Sequence, residues 1–395
     1  MTILILNHYE QISPRVANEI KILCSNDYRV KILYWDRKEN IYKKNNSKKQ
    51  NEIRICLKAP KSSLSLLLYC ILFYIKAVKV LKNEVFDIVH CTHFYLLPLA
   101  LFLGKWKKVQ IVYDAYEMYS LDFSSYVPKM FSKFVKFVVE IIENFLVSKV
   151  DGVITIDSVG NFLAKRYLQY NKNVVVLYNV PDKEPKMNLN RLQNLKKRYK
   201  NKKILIYIGG IFEAKGSVKA LEALALVKHR FPEVKLLMIG KISDPPGKLD
   251  RLIKGLNIKE NVEFISWVPY EEMFCYLKIA HVGLALQQPV GRFLLVSKGN
   301  GRKFFTYMQA GLPIVAPNFG EIGLVVKEEK CGILVDTTKP KEIADAIIYL
   351  LEHPEEAKAM GERGKKAIKE KYNWEIEKEK LLKVYKKLLE RKEKC

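Results

Sequence analysis

One hydrophobic rhythm runs through the chain twice. Short, nearly unbroken apolar runs alternate with stretches of helical period. The runs ILILN (3–7), VKILYW (30–35), IRICLK (53–58), DIVHCTH (87–93), VQIVYD (109–114), DGVITID (151–157) and VVVLYNV (174–180) lack in-and-out alternation. That is the pattern of strands covered on both faces. Helical segments lie between them, including 16–26 and the strongly apolar 63–81. A polar stretch, 181–203, interrupts the rhythm and reads as an interdomain linker running into a basic surface. The rhythm resumes with ILIYIGG (204–210), VKLLMIG (234–240), VEFISW (262–267), VGLALQ (282–287), PIVAP (313–317) and CGILVD (331–336). Helices are expected at 216–229, 248–255, 270–279, 303–310, 340–352 and 355–371, and a charged amphipathic helix at 373–392. Such alternation predicts an α/β chain of two Rossmann-like domains, 1–180 and 181–373, each with a doubly wound parallel sheet. Ligands of such sheets bind beyond the carboxyl ends of the strands, which implies a central cleft facing both domains.

A chain of 395 residues, 49% hydrophobic, is long enough for two cores. Its 68 Lys and Arg against 42 Asp and Glu leave a formal charge of +26. That excess attracts polyanions such as nucleic acid, anionic lipid or phosphorylated ligands. The lysines are spread along the whole chain, as on an ordinary soluble surface, and no nucleic-acid module or aromatic stacking platform is evident. Seven cysteines, an odd number without a C-x-x-C pair, argue for free thiols in a reducing cytoplasm. The opening MTILILNHYE is a strand entering a loop, not a signal peptide. The longest apolar stretch, Leu64 to Ile75, is about half a membrane span. These features point to the cytoplasm, with contact at the inner face of the membrane left open.

Two loops have residues suited to phosphate chemistry. In YIGGIFEAKGSVKALEAL (207–224) a strand ends in Gly209-Gly210 and a helix starts after Lys215-Gly216. Glycines let backbone N–H groups approach a phosphate, and a helix N-terminus bears partial positive charge. The Walker spacing is absent. In GNGRKFFTYMQAGLPIVAPNFGEIG (299–323), Arg302 and Lys303 open a helix, where cations oppose the dipole unless an anion joins them.

Together these loops resemble retaining glycosyltransferase family 4, of the GT-B fold. The likeness extends over most of the chain and is strongest in its second half. The family's G-R-x-x-x-x-K-G loop is matched by Gly209 to Gly216, and its P-x-K-x-x-E-Y-M-A-x-G-L-P-V-x-A segment by Lys303 to Ala316. Asn373-Trp374-Glu375 resembles the start of the family's last helix, which crosses back to the first domain. In the first half, Arg15-Val16-Ala17-Asn18-Glu19, Asp114-Ala115-Tyr116-Glu117 and Tyr178-Asn179-Val180-Pro181 resemble R-V-x-x-E, D-x-H-E and the strand before the linker. Four positions depart from the pattern. The diphosphate-gripping arginine is replaced by Gly210, a ribose-binding glutamate by Thr306, its partner by Lys298, and a sugar-side histidine by Tyr116.

The resemblance implies a hexosyl-transferring enzyme that moves a sugar with retention from a nucleotide diphosphate-sugar to a glycan or lipid-linked acceptor. Polysaccharide, glycolipid or glycoprotein glycan synthesis would use it. Lys215 and Lys303 would stabilise the leaving diphosphate; Gly209, Gly210, Gly216, Arg302, Thr306, Glu321 and Arg15 would contact the donor. Tyr116 and Glu117 would lie on the sugar and acceptor side. Arg302 or Arg292 would stand in for the arginine missing at Gly210. No metal or other cofactor is expected, since no D-x-D occurs. His90 and His93 flank Cys91 without a further evident ligand, so they read as strand-end or core residues. Lysines 76, 79 and 82, and 129, 133 and 136, fall on helix faces opposite apolar residues. Such helices either pack on a sheet or lie on anionic lipid. The departures also admit a non-catalytic GT-B homologue serving as a nucleotide-sugar-binding scaffold, or a GT-B sugar-nucleotide epimerase.

Overall fold

The computed structural model describes residues 1–7, 12–37, 51–59, 66–115, 117–125, 127–157, 162–294 and 301–392. The chain divides into two compact units, Met1–Tyr178 with Glu377–Cys395, and Asn179–Ile376.

In chain order the first unit has β1 (Thr2–Asn7), α1 (Pro14–Cys24), β2 (Arg29–Asp36), β3 (Glu52–Cys56), α2 (Leu66–Leu81) and β4 (Ile88–Cys91). These are followed by α3 (Leu97–Lys107), β5 (Gln110–Ala115), α4 (Tyr119–Ser125), α5 (Lys129–Val147), β6 (Gly152–Thr155), α6 (Phe162–Tyr167) and β7 (Val174–Val176). The strands form one sheet in the order β3-β2-β1-β4-β5-β6-β7. Every pairing in it is parallel. The apolar runs form its centre because a parallel sheet is covered on both faces; Ile3, Leu4, Ile5, Ile88, Val89 and Val112 are fully buried. Helix α1 starts where Ser13 accepts the Val16 N–H and Pro14 fixes the first turn.

The second unit has α7 (Leu189–Arg198), β8 (Lys203–Ile208), α8 (Ser217–Arg230), β9 (Val234–Ile239), α9 (Lys248–Gly255), β10 (Val262–Ile265), α10 (Tyr270–Leu277) and β11 (Val282–Leu284). Then come α11 (Arg302–Ala310), β12 (Ile314–Pro317), α12 (Gly320–Glu329), β13 (Gly332–Val335), α13 (Pro340–Glu352) and α14 (Pro354–Glu370). The sheet order is β10-β9-β8-β11-β12-β13, again all parallel. Its core packs α8, α9 and α13 against the strands through residues such as Leu221, Leu224, Val227, Ile343 and Ile347. The stretch expected as a linker contains α7 instead. Asn188 caps it by accepting the Arg191 N–H, and Leu195 is its buried anchor.

The last helix, α15 (Trp374–Lys392), begins in the second unit and joins the first from Glu377 onward. Leu381, Val384, Tyr385 and Leu388 are its buried stripe, spaced as one helix face. Gln110 of β5 donates to the Leu388 carbonyl at 2.9 Å.

Helix α5 reverses the usual arrangement. Its fully buried positions are Glu143 and Val147, whereas Met130, Phe131, Phe134, Phe137, Ile141, Ile142 and Phe145 are exposed. Glu143 accepts from the Tyr113 hydroxyl at 2.9 Å and pairs with Arg166, so the carboxylate faces in and the aromatic stripe faces out. Leu68, Ile71, Leu72 and Ile75 of α2 are exposed as well. Among the described residues no helix is long and apolar enough to cross a membrane.

Candidate functional site

In the second unit the strand order reverses between β8 and β11, the usual ligand position in an open α/β sheet. These strands share only the pairings Leu205–Val282 and Ile206–Gly283. Tyr307 of α11 closes the gap beyond them. Its hydroxyl accepts from the Ile208 N–H at 2.9 Å and donates to the Leu284 carbonyl at 3.1 Å. Gly283 makes room for that ring, since a Cβ there would meet it at 2.8 Å.

The β8–α8 turn is held against this point. Tyr207, at the end of β8, sets its hydroxyl between the carbonyls of Gly210 and Lys215, at 3.1 and 3.0 Å. Asp244 accepts from the Glu213 N–H at 3.1 Å and from Ser217 Oγ at 2.9 Å. Gly209 and Gly216 take left-handed φ values of 101° and 86°. A Cβ on Gly216 would lie 2.0 Å from the Leu286 carbonyl oxygen. Gly216→Ala is therefore expected to destabilise the second unit by about 2–4 kcal/mol, combining backbone strain with a clash. A lowered urea midpoint with unchanged slope checks this.

Two lysines meet here. The Lys303 Nζ lies 4.2 Å from the centroid of the Tyr207 ring. It is shielded from solvent and has no hydrogen-bond partner among the described residues. Burial, and then the like charge of Lys215, hold its pKa well below the ordinary lysine value. The Lys215 ammonium sits 5.3 Å from the centroid of Phe212. It lies 3.7 Å from where a Cβ on Gly210 would be, with the Phe212 ring at 3.1 Å from that point. The space of a residue 210 side chain is thus already filled. Arg302 opens α11 with its guanidinium 5.8 Å from the Tyr270 centroid; Nη1 is buried without a hydrogen-bond partner among the described residues, and burial lowers its pKa. An ammonium kept from water without an anion costs several kcal/mol. A fold that retains one at a topological switch point has a place for an anion there.

The other sequence-derived residues are placed as follows. Thr306 is buried, and its hydroxyl donates to the Arg302 carbonyl at 2.9 Å. With its hydrogen on the helix backbone, the hydroxyl oxygen offers an acceptor to a ligand hydroxyl. Glu321 is buried in the first turn of α12, where a carboxylate complements the helix dipole. Arg292 lies in a short turn, 291–294. Glu117 is half-buried just after β5. Tyr116 and Lys298 lie outside the described residues.

Arg15 requires a correction. It was expected to reach a diphosphate, but it is 2% exposed and committed within the first unit. Nη2 and Nε donate to Asp114 at 2.9 and 3.3 Å, and Nη1 donates to the Leu177 carbonyl at 2.7 Å. The residues of the R-V-x-x-E and D-x-H-E segments thus meet as a buried cluster. His90, Glu19 and Asp114 offer three ligand atoms within 4.8 Å of one another, with the Arg15 guanidinium lying among them as counter-charge. His93 is buried and bonded through Nδ1 to Thr92 at 2.8 Å, and burial pushes its pKa down to about 3. Sequence reasoning passed over Tyr207, Tyr307 and Asp244. A tyrosine closing an otherwise aliphatic strand, as in ILIYIGG, was the available signal.

The profile of glycosyl transferases group 1 matches residues 190–367. An uncharacterized glycosyltransferase of Methanocaldococcus jannaschii is 27% identical over 254 residues, which cover 63% of this chain and 61% of that protein. Other curated relatives are matched over less than half of their length. Sucrose-phosphate synthase from Thermosynechococcus elongatus superimposes with a TM-score of 0.75 at 16% identity, covering 99% of this chain and 100% of the other. Anabaena HepE in complex with UDP gives a TM-score of 0.68 at 15% identity, with both chains covered completely. Residues 190–367 are thus similar to the glycosyl transferases group 1, and the chain around them has the GT-B fold.

Proposed function

We propose that this protein transfers a sugar with retention from a nucleoside diphosphate donor to an acceptor at a membrane surface. The observation that carries the reading is the buried Lys303 ammonium, without a hydrogen-bond partner among the described residues and next to Lys215, at the switch point of the second sheet. The UDP bound by the Anabaena relative supports a nucleotide donor. As the bond from the anomeric carbon to phosphate oxygen breaks, charge builds on the diphosphate. Lys303 and Lys215 stabilise that charge more than they stabilise the ground state. The acceptor hydroxyl forms the new bond on the same face and passes its proton to the leaving phosphate oxygen. Arg302 and the first N–H groups of α11 supply the donors that Gly210 lacks.

Calorimetric titration with UDP, GDP and ADP tests the reading. One nucleotide is expected to bind the wild type, and Lys215→Ala to lose it. No binding of any of the three sinks the proposal.

A second result is expected from the lysine. Its pKa is depressed in the free protein and restored when a diphosphate sits beside it, so binding takes up a proton. Affinity is present while Lys303 is charged and falls as pH rises through its free-protein pKa. Titrations in two buffers of different ionisation enthalpy check this. Equal heats at pH 8 to 9 contradict it.

The acceptor is proposed to be lipid-linked. Support comes from the outward Phe134, Phe137, Ile141 and Phe145 on α5, the exposed apolar side chains of α2, and the basic surface around them.

A further inference from the structure

The second unit has a cavity of about 410 Å³ at the amino ends of its strands, away from the Lys215–Lys303 pair. Lys196, Lys202 and Lys203 line it together with Asn201 and His281, and Ile279 forms an apolar wall. Among the described residues no carboxylate faces it. Lys203 opens β8 and Ile208 ends it. Five steps of about 3.3 Å therefore set the cavity roughly 17 Å from the Gly209–Gly210 turn.

The sequence concentrates charge here, with six Lys and Arg among the eight residues 196–203. A turn after α7 gathers them. Asn201 takes a left-handed φ of 60°, which its short polar side chain tolerates, and the Lys202 N–H donates to the Tyr199 carbonyl at 3.1 Å. The helix dipole accounts for Lys196, in the last turn of α7, but not for Lys202 and Lys203 beyond it. None of the three has a hydrogen bond or ion pair among the described residues. A neighbouring cavity of about 500 Å³ differs in this respect. There Arg198 donates to Glu263 at 2.7 Å, Lys228 to the Asn257 carbonyl at 2.6 Å and Lys235 to the Glu260 carbonyl at 3.0 Å. Glu263 also accepts from the Tyr199 hydroxyl, so that carboxylate is engaged.

His281 adds a fixed donor. Its Nδ1 accepts the Ile204 N–H at 3.0 Å, and its own backbone N–H donates to the Ile204 carbonyl at 2.8 Å. With Nδ1 occupied as an acceptor, the neutral ring carries its hydrogen on Nε2. Burial, then the charge of Lys203, hold its pKa below the ordinary histidine value. A cleft lined by one sign of charge concentrates the opposite ion, and this volume lies in the range of small-ligand pockets.

We propose that this cavity is a second anion site, for a phosphate-bearing ligand, at the opposite end of the sheet from the donor site. The three ammonium groups pair with phosphate oxygens, and the His281 Nε2–H donates to one of them. A free phosphorylated small molecule and the phosphate of a lipid headgroup offer the same chemistry. None of these residues belongs to the Lys215–Lys303 site, so the two sites stand or fall separately.

Nuclear magnetic resonance of the full chain labelled with ¹⁵N-histidine tests this, with inorganic pyrophosphate as the probe. The His281 ring signal is assigned from its absence in His281→Asn, whose side-chain oxygen can still accept the Ile204 N–H. A saturable shift of that signal is expected with pyrophosphate, and none with sodium chloride at equal ionic strength. Lys203→Gln is expected to weaken the response about tenfold. Replacing Lys196, Lys202 and Lys203 together by Gln should abolish it, whereas Lys303→Met should respond as wild type. No saturable shift, an equal shift with chloride, an undiminished response in the triple variant, or a response lost in Lys303→Met overturns the proposal. Flotation with phosphatidylglycerol vesicles separates the two sources. Protein carrying Phe134→Ser and Phe137→Ser that still floats, and stops floating when the three lysines are also replaced, identifies a lipid headgroup. A pyrophosphate response without such flotation identifies a free phosphorylated ligand.

Discussion

Lys303→Met is expected to make the protein more stable and to deprive it of its nucleotide. In the free protein the ammonium is shielded from water, faces the like charge of Lys215, and has no hydrogen-bond partner among the described residues. A thioether chain of similar length fills the same space without the desolvation cost. The apo protein should gain about 1–3 kcal/mol, read as a higher urea midpoint. Binding moves the other way. Truncating one partner of a buried charged pair costs about 2–5 kcal/mol, so affinity for the nucleotide should fall by at least about thirtyfold. Transfer should fall further, because charge on the diphosphate grows in the transition state. Thermal melts with and without nucleotide separate the two effects. Wild type at a hundred times its Kd gains about 2.7 kcal/mol from ligand, and the variant gains almost nothing. A variant that is less stable yet binds nucleotide as before makes Lys303 a structural residue and removes the basis of the donor site.

The sheets and most helices were legible because parallel strands are buried on both faces and announce themselves as unbroken apolar runs. Helix α7 was hidden by its composition: LNRLQNLKKR has only three leucines, and one of them, Leu195, is its buried anchor. Helix α12 was hidden by two glycines in GEIGLVVKEE; Gly323 is needed where a Cβ would come within 2.8 Å of the Pro317 carbonyl oxygen. Lys215 and Lys303 were singled out by a turn before one helix, the start of another and the family resemblance, and in the structure their charges oppose one another. Arg15 was misjudged for a physical reason. A guanidinium after a first strand suits a phosphate and a buried carboxylate equally well, and only the fold brings Asp114, ninety-nine residues away, into contact with it. The local bond of the Thr306 hydroxyl to the carbonyl four residues back is likewise seen only in the folded helix.

Phe134→Ser with Phe137→Ser is expected to release the first unit from anionic membranes without harming its fold. The two rings are 65% and 60% exposed, so little packing is lost. Surface replacements of this kind stay within about 0.5 kcal/mol of wild-type stability. At a bilayer the same rings enter the acyl boundary. Each contributes about 1.5–3 kcal/mol on leaving water, so the double variant should partition at least about a hundredfold less into vesicles. Helical geometry sets Lys129 and Lys133 beside the stripe, able to meet lipid phosphates while their stems cover the rings. Lys129→Glu with Lys133→Glu should therefore weaken binding to phosphatidylglycerol vesicles by at least about tenfold, at about 1 kcal/mol per lysine removed, and have little effect on neutral ones. Flotation at low and high salt distinguishes the two contributions, because only the lysine part is screened. Double-serine protein that still floats with anionic vesicles places the membrane contact elsewhere. If it stops floating and also loses transfer to a lipid-linked acceptor, while soluble acceptors are still used, then the outward stripe determines which acceptors the enzyme meets.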